Sequence, residues 1–561
     1  ADIGALWYGL NGTWDGSATS SEIAAGTTTN ANFSSMPTTS TYAYRYVDQA
    51  SSSGAERATH NFGQDGSFAG QKTAQGNTDG NGIGDFYYTP PTGYLALCSD
   101  NLPDPAIALP TAYFNTVLYT GTGSGQSISG VGFQPNFTWI KNRDTAVGHA
   151  LFDSIRGATK YLTSSATVAE STESDMLTAF NSDGFSGGGS NQINIASDNY
   201  ASWNWKGSDT PTKTFAVTVT NPGSGNRYTL DGKVSGTNAM PITIEEGGTY
   251  TFDQSDNTNS GHPLRFSTTS NGTWGGGSEY TTGVTTNGTP GNAGAYTRIT
   301  VAASAPTLYY YCTNHSGMGA AITTPGSGGG VSDLSGTIAS VVNANTTAGF
   351  SIATYTGNGT SPSTIGHGLS VAPEMVMVKN RTTAGENWVV SVGNATGTNG
   401  DFLILNTDSA VIAGTSQFPS QPGSSTFAVT DAANVNTNTS NYIAYCFHSV
   451  DGYSKVGSYT GNGSTDGTFV YTGFRPTFVM LKDTSAVEDW VIHDTTRAPY
   501  NQSQKVLYPN TSGAEEDSSN RAIDIVSNGF KARNNGGRTN RNGDTYIYYV
   551  VGYPFKTSNA R

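Results

Sequence analysis

The chain is short of charge: only 12% of its 561 residues are Asp, Glu, Lys or Arg, and 41 acidic residues outnumber 27 basic ones for a formal net charge of −14. No Lys and Arg cluster is present to neutralise phosphates, which argues against nucleic acid or an anionic membrane as partner. Long apolar runs are missing as well. Nothing near twenty residues would span a bilayer and no charged-then-apolar leader opens the sequence, so neither membrane insertion nor Sec export is expected. Cysteine is scarce: Cys98, Cys312 and Cys446 lie far apart, which describes no disulfide framework and leaves the redox compartment open. Amphipathic helical periodicity is nearly absent, and the length exceeds what one core serves, so several non-helical modules are expected. The histidines, His60, His149, His262, His315, His367, His448 and His493, come without a GxSxG, HExxH or P-loop pattern, and no enzyme is expected.

What is present is aromatic and turn-rich. The 30 Tyr, 23 Phe and 8 Trp supply large burial at low entropic cost, and 71 Gly stand beside Asn, Asp, Ser and Thr as in tight turns between short strands. Three stretches repeat. YTGTG at 119–123 precedes FQPNFTWIKNRD at 133–144; YTGNG at 355–359 precedes VAPEMVMVKNRT at 371–382; YTGNG at 459–463 precedes FRPTFVMLKDTS at 474–485. Each copy closes on an aromatic strand, around Trp203, Tyr442 and Tyr546, which defines homologous units of about one hundred residues. The alternation in FTWIK, MVMVK and FVMLK predicts half-buried strands of antiparallel sandwiches, with the shared Lys141, Lys379 and Lys482 at solvated strand ends. His149 with Asp153, and His493 with Asp494, fall at equivalent points of copies one and three where copy two has Ser391 and Val392; they are read as surface polar residues.

Copies two and three start 104 residues apart but copies one and two 236 apart, so a separate domain stands between the first two, bounded by GSDTPTK at 207–213 and a flexible TTPGSGGG at 323–330. Its segments FAVTVT, PITIEEGGTYTFD, HPLRFS, YTRITVAA and TLYYYC read as strands. It also carries CTNHSGMG. Two His and one Cys with a weak axial Met form the ligand set of a mononuclear electron-transfer copper centre, and Cys312, His315 and Met318 can wrap one ion while His262 arrives from another strand. The segment resembles the cupredoxins, and its loop is most similar to that of pseudoazurin and amicyanin. That resemblance implies a Greek-key sandwich with His262, Cys312, His315 and Met318 as copper ligands. The rest of the chain offers no second redox constellation, so the copper is expected to act as a staple, its binding energy becoming folding energy.

The first hundred residues, with LWYGLNGTWDG at 6–16, HNFGQDGSFAG at 60–70 and GDFYYTPPTGYLALCSDNLP at 84–103, read as strands between Gly turns. They resemble the C-terminal half of a SPRY-type, concanavalin-like sandwich of bacteriophage structural proteins, which implies further strands ahead of residue 1. TDGNGIGD places Asp79, Asn81 and Asp85 as candidate calcium ligands, although such repeats are commoner as plain turns. The repeats and the closing YPFKTSNAR are similar to the lectin-like modules of marine phage, particularly cyanophage, tail fibres and appendages.

The expectation is therefore an all-β chain of tandem antiparallel β-sandwich (lectin-like or jelly-roll) modules with one inserted cupredoxin-like sandwich. Its parts are a SPRY-like domain at 1–110, repeats at 111–208, 348–452 and 453–561, the insert at 209–326 and a linker at 327–347. The resemblance implies an exterior virion protein that binds a host-surface glycan, works beside other virion proteins and forms a homo-oligomer, a trimer by preference. A passive decoration fibre or filament, and a copper redox protein, stay open as alternatives.

Overall fold

A computed structural model describes residues 61–208 and 211–557, together with short pieces between residues 9 and 31. The chain is all-β and divides into two units, Ala1–Asp104 and Pro105–Arg561. Among the described residues no helix is long and apolar enough to cross a membrane.

In the first unit the strand reading is corrected. From LWYGLNGTWDG the paired strands Gly9–Leu10 and Thr13–Trp14 are seen; the other residues of that stretch, and His60, lie outside the described residues. Residues 61–104 hold one isolated bridge, Asn77 to Phe86, and a turn of 3-10 helix at Ser99–Asn101. The physical reason is competition from side chains. Asp65 accepts from the Ser67 and Ala69 amides, Asn61 from Gly63, and Asp79 from Asn81 and Ile83, so the backbone is satisfied within turns rather than across strands.

In the second unit each repeat builds a four-stranded antiparallel layer and a smaller sheet packed on it. In repeat one Phe114–Thr120, Asn199–Trp205, Phe137–Asn142 and Ala150–Asp153 lie side by side, and Ile128, Leu177 and Phe185 of the smaller sheet meet Ile140, Phe152 and Tyr200. Repeat three matches it with Ser454–Thr460, Thr545–Pro554, Phe474–Asp483 and Val491–Asp494. Repeat two has Phe350–Thr356, Asn441–Phe447, Met375–Asn380 and Val389–Ser391, and adds Ser340–Asn345 and Val331–Asp333 at one edge and Phe402–Ile404 at the other. The expected linker at 327–347 thus supplies two strands to this sheet.

The YTGxG motif is a strand corner used three times. Tyr119 stacks on Tyr200, Tyr355 on Tyr442 and Tyr459 on Tyr546, at 4.9, 5.1 and 4.9 Å between ring centroids. Asn194, Asn436 and Asn540 accept from the amides of Thr122, Asn358 and Asn462. The motif's first glycine is required by contact: a Cβ at Gly121, Gly357 or Gly461 would lie 2.1, 2.3 or 2.2 Å from the carbonyl oxygen of Ile195, Thr437 or Arg541.

The half-buried expectation fails for the FTWIK strands, whose residues are buried on both faces. One face closes each repeat's own core. The other joins a single cluster shared by all three repeats, with Phe137, Trp203 and Trp205 from the first, Phe350, Met375 and Tyr445 from the second, and Phe478, Ile492 and Tyr549 from the third. The contacts run head to tail around a closed ring. His149 Nε2 meets Tyr508 O at 3.0 Å, Trp490 Nε1 donates to Ile404 O at 3.0 Å, and Trp388 Nε1 donates to Thr163 O at 3.0 Å. His149 therefore stands where the other copies have Trp388 and Trp490; its equivalent is not His493.

The lysines and acids also leave the surface. Lys141, Lys379 and Lys482 are fully buried and each reaches a carbonyl of the next repeat, Ser512, Thr167 and Asp408. His149, Asp153, His493 and Asp494 are buried too. A half-buried sandwich would have left them in water; the ring covers the face of the lysines, His149, Asp153 and Asp494, while His493, paired with Val479, turns into repeat three's own core beside Ser503.

The insert is a two-sheet sandwich around one core. Thr212–Thr220 lies between Arg227–Leu230 and Thr249–Asp253, while Leu308–Cys312 lies between Leu264–Ser267 and Ala321–Thr323. Entry and exit are side by side, since Ser208 N donates to Asn343 Oδ1 and Asn345 Nδ2 to Gly207 O. The TTPGSGGG stretch is tied rather than flexible. Gly328 and Gly330 amides both donate to the buried Glu245 carboxylate at 2.7 Å, and Gly328 O accepts from Ser154 and Asn343.

Candidate metal centre

Antiparallel pairing sets Leu264 opposite Cys312, so the turn ahead of Leu264 and the loop after Cys312 leave the sheet together. The ladder continues past both strand ends, with Thr313 N donating to Pro263 O and Asn314 Nδ2 to Gly261 O. His262 between them has its carbonyl fixed by two donors, Tyr228 Oη at 2.7 Å and Gln254 Nε2 at 2.8 Å. The outcome is convergence. Cys312 Sγ lies 3.8 Å from His262 Nδ1 and 3.7 Å from His315 Nδ1, and the two imidazole centroids are 4.5 Å apart. Cys312 is buried, His262 half-buried and His315 exposed, the only His, Cys, Asp and Glu grouping of this kind among the described residues. Met318 is buried in the same cluster as Cys312, and its carbonyl accepts from Tyr228 N.

Do these residues fit a metal? Bonds of about 2.0 Å to nitrogen and about 2.3 Å to sulfur, opened to between tetrahedral and trigonal angles, separate N from S by roughly 3.5–3.7 Å. The observed 3.8 and 3.7 Å match that spacing with little adjustment. Burial, and next the neighbouring His315, lower the pKa of His262, which keeps the ring neutral with a lone pair to give. The donor set fits a soft or borderline ion.

A frame not visible in the sequence holds the loop. Trp274 Nε1 donates to Cys312 O at 3.1 Å, Asn271 Oδ1 accepts from Gly317 N, and Asn271 Nδ2 donates to Ser316 Oγ, both at 2.8 Å. The Asn271-Gly272 pair is a local turn signal, but nothing local ties it to a loop 45 positions on. Gly319 has a clear steric reason, because a Cβ would lie 1.7 Å from Tyr310 O.

The calcium reading is not supported by the geometry. Asp79 is saturated by donors: Asn81 N and Ile83 N on one oxygen, Ala96 N and Asn101 Nδ2 on the other. Burial raises its pKa, but those hydrogen bonds outweigh it and hold the carboxyl at about 2. Asp85 accepts from Gly66 N, and the Asn81 amide donates to Asn101. These acids clasp a loop, with N–H groups where a cation would need oxygen.

The DUF7483 family, described as a domain of unknown function, matches residues 109–229 and 314–552. The match spans the three repeats and passes over 230–313, the part of the insert that holds His262 and Cys312. No curated protein matches the chain.

Proposed function

The chain belongs to the DUF7483 family, and because that description assigns no activity we propose a function from the fold: a non-catalytic contact protein of a phage virion appendage, tail fibre or similar, that binds a host-surface glycan. The observation that carries this reading is the closed ring. The lysines Lys141, Lys379 and Lys482, the acids Asp153 and Asp494, and His149 are used between modules, and outward loops on a rigid scaffold are the surfaces left to do work. Such loops, rich in Asn, Ser, Thr and Tyr, suit hydroxylated ligands. The threefold grouping that a fibre obtains by trimerising is supplied here within one chain, so self-association would use other faces. Purified chain is expected to be retained by host envelope or a glycan array; silence on both would favour the passive spacer instead.

His262, Cys312, His315 and Met318 would hold one copper ion as an architectural clasp, joining the loop after Cys312 to the turn before Leu264. Bound there, copper supplies a thiolate-to-metal bond across two chain segments and so raises stability. At metal 100-fold above its dissociation constant the gain is about 2.7 kcal/mol. Copper addition is expected to give an absorption band toward the red end of the visible and to raise the melting temperature. Cys312→Ser should lose both, and a surviving band would overturn the ligand assignment.

A further inference from the structure

Beside the metal loop lies an open hollow of about 490 Å³ whose walls include Arg227, Trp274, Asn226, Asn314, His315 and Ser316. We propose that this hollow binds an acidic saccharide, a sugar chain carrying carboxylates, with Trp274 as platform and Arg227 as the carboxylate partner. The inference rests on the glycan-binding reading above and assigns it a place.

Trp274 is the first reason. Its residue is 52% exposed, the largest aromatic left so open among the described residues, yet its indole N–H is fixed to Cys312 O and its turn is stitched to the metal loop through Asn271. A ring immobilised by one edge and left half in water is ordered before any ligand arrives, which lowers the entropy lost on binding. The C–H face of a pyranose is the natural partner for such a ring, because both are apolar surfaces rimmed by polar groups.

Arg227 is the second. Its terminal nitrogens donate to Asn226 O, Ser224 O and Ser224 Oγ, and among the described residues no carboxylate pairs with it. In a chain of net charge −14 a guanidinium without an acid partner is conspicuous. Its planar donors suit a carboxylate. The amides of Asn226 and Asn314 and the hydroxyl of Ser316 complete the wall with groups that match sugar hydroxyls. The size also fits, since pockets that hold small ligands run from about 300 to 1,000 Å³.

The test uses the full chain loaded with copper, titrated with a uronic acid oligosaccharide and with the neutral oligosaccharide of the same linkage. The acidic chain should bind at least about tenfold more tightly, Trp274→Ala should weaken it at least about tenfold, and Arg227→Gln should erase the preference for the acidic form. The copper absorption band, unchanged in Arg227→Gln, reports that the loop is intact. Equal binding of both sugars by the native chain, or undiminished binding by both variants, overturns the assignment. Retention of the double variant on host envelope would refute the hollow while sparing surface binding; failure of the native chain on sugars and envelope alike refutes both.

Discussion

Asp494→Ala is expected to cost the second unit about 3–5 kcal/mol of stability, the penalty for stripping one partner from a buried ion pair. Asp494 is fully enclosed; it accepts from Trp203 Nε1 of repeat one at 3.1 Å and from Arg497 Nε at 2.5 Å. Arg497 in turn donates to Glu515, which also receives both Nε and Nη2 of Arg143 across the ring, at 2.9 and 2.8 Å. Burial raises the pKa of Glu515, but Arg143 and Arg497 more than offset it and keep the carboxylate ionised. Without Asp494 the guanidinium of Arg497 keeps one acid for a charge sealed from water. Urea unfolding should show a lowered midpoint, and a midpoint within error of the native chain would dismiss the network as a stabilising element.

The molecule contains its own comparison. The seam between repeats two and one repeats this network with Asp153, Arg156, Glu170 and Arg381, and Tyr445 Oη donates to Asp153. At the third seam Thr484, Val411 and Val392 stand at the positions of the arginine, the glutamate and the aspartate, and the backbone bond survives as Val411 N to Thr484 O. These three charges are gone together, as expected where leaving one alone is the costly state.

The second large effect is in pH. Burial lowers the pKa of Lys141, Lys379 and Lys482 to about 8 from the usual 10.5. Between these values the unfolded lysine holds a proton that the folded one has released, so stability must rise as pH climbs from 8 toward 10. Two carbonyls receive each Nζ, which a neutral amine with its two N–H groups can satisfy. At roughly 1.36 kcal/mol for each pKa unit, each lysine contributes on the order of 1–3 kcal/mol to this rise. Cys446, its thiol pushed up to about 12, opposes the rise from about pH 9, where an unfolded thiol loses its proton, and the buried tyrosines end it near pH 10. On the acid side burial depresses His149 well below its usual value and His493 to about 3, so stability falls as pH drops below about 6.5. His149 has a specific reason to stay neutral: Trp139 Nε1 donates to its Nδ1 at 2.8 Å, a bond that protonation would break. Urea midpoints from pH 5 to 10 should trace this profile, and Lys379→Met should remove about a third of its alkaline rise. A flat alkaline limb would contradict the depressed lysines.

Much of this protein was legible from its residues. The three repeats followed from the recurring YTGxG and FTWIK-type stretches, the insert from unequal repeat intervals, and the meeting of His262, Cys312 and His315 from their residue types and spacing. Local chemistry decides those things, because turn residues and donor spacing act over a few neighbours. What the sequence alone misassigned were the residues facing another module. Lys141, Lys379, Lys482, His149 and Asp494 read as solvent-facing because a single sandwich has one wet side, and only the closing of three repeats on a common core removed that side from water. The frame of Trp274, Asn271 and Tyr228 around the metal loop was hidden for the same cause: its members are remote along the chain and meet only when the two sheets of the insert fold together.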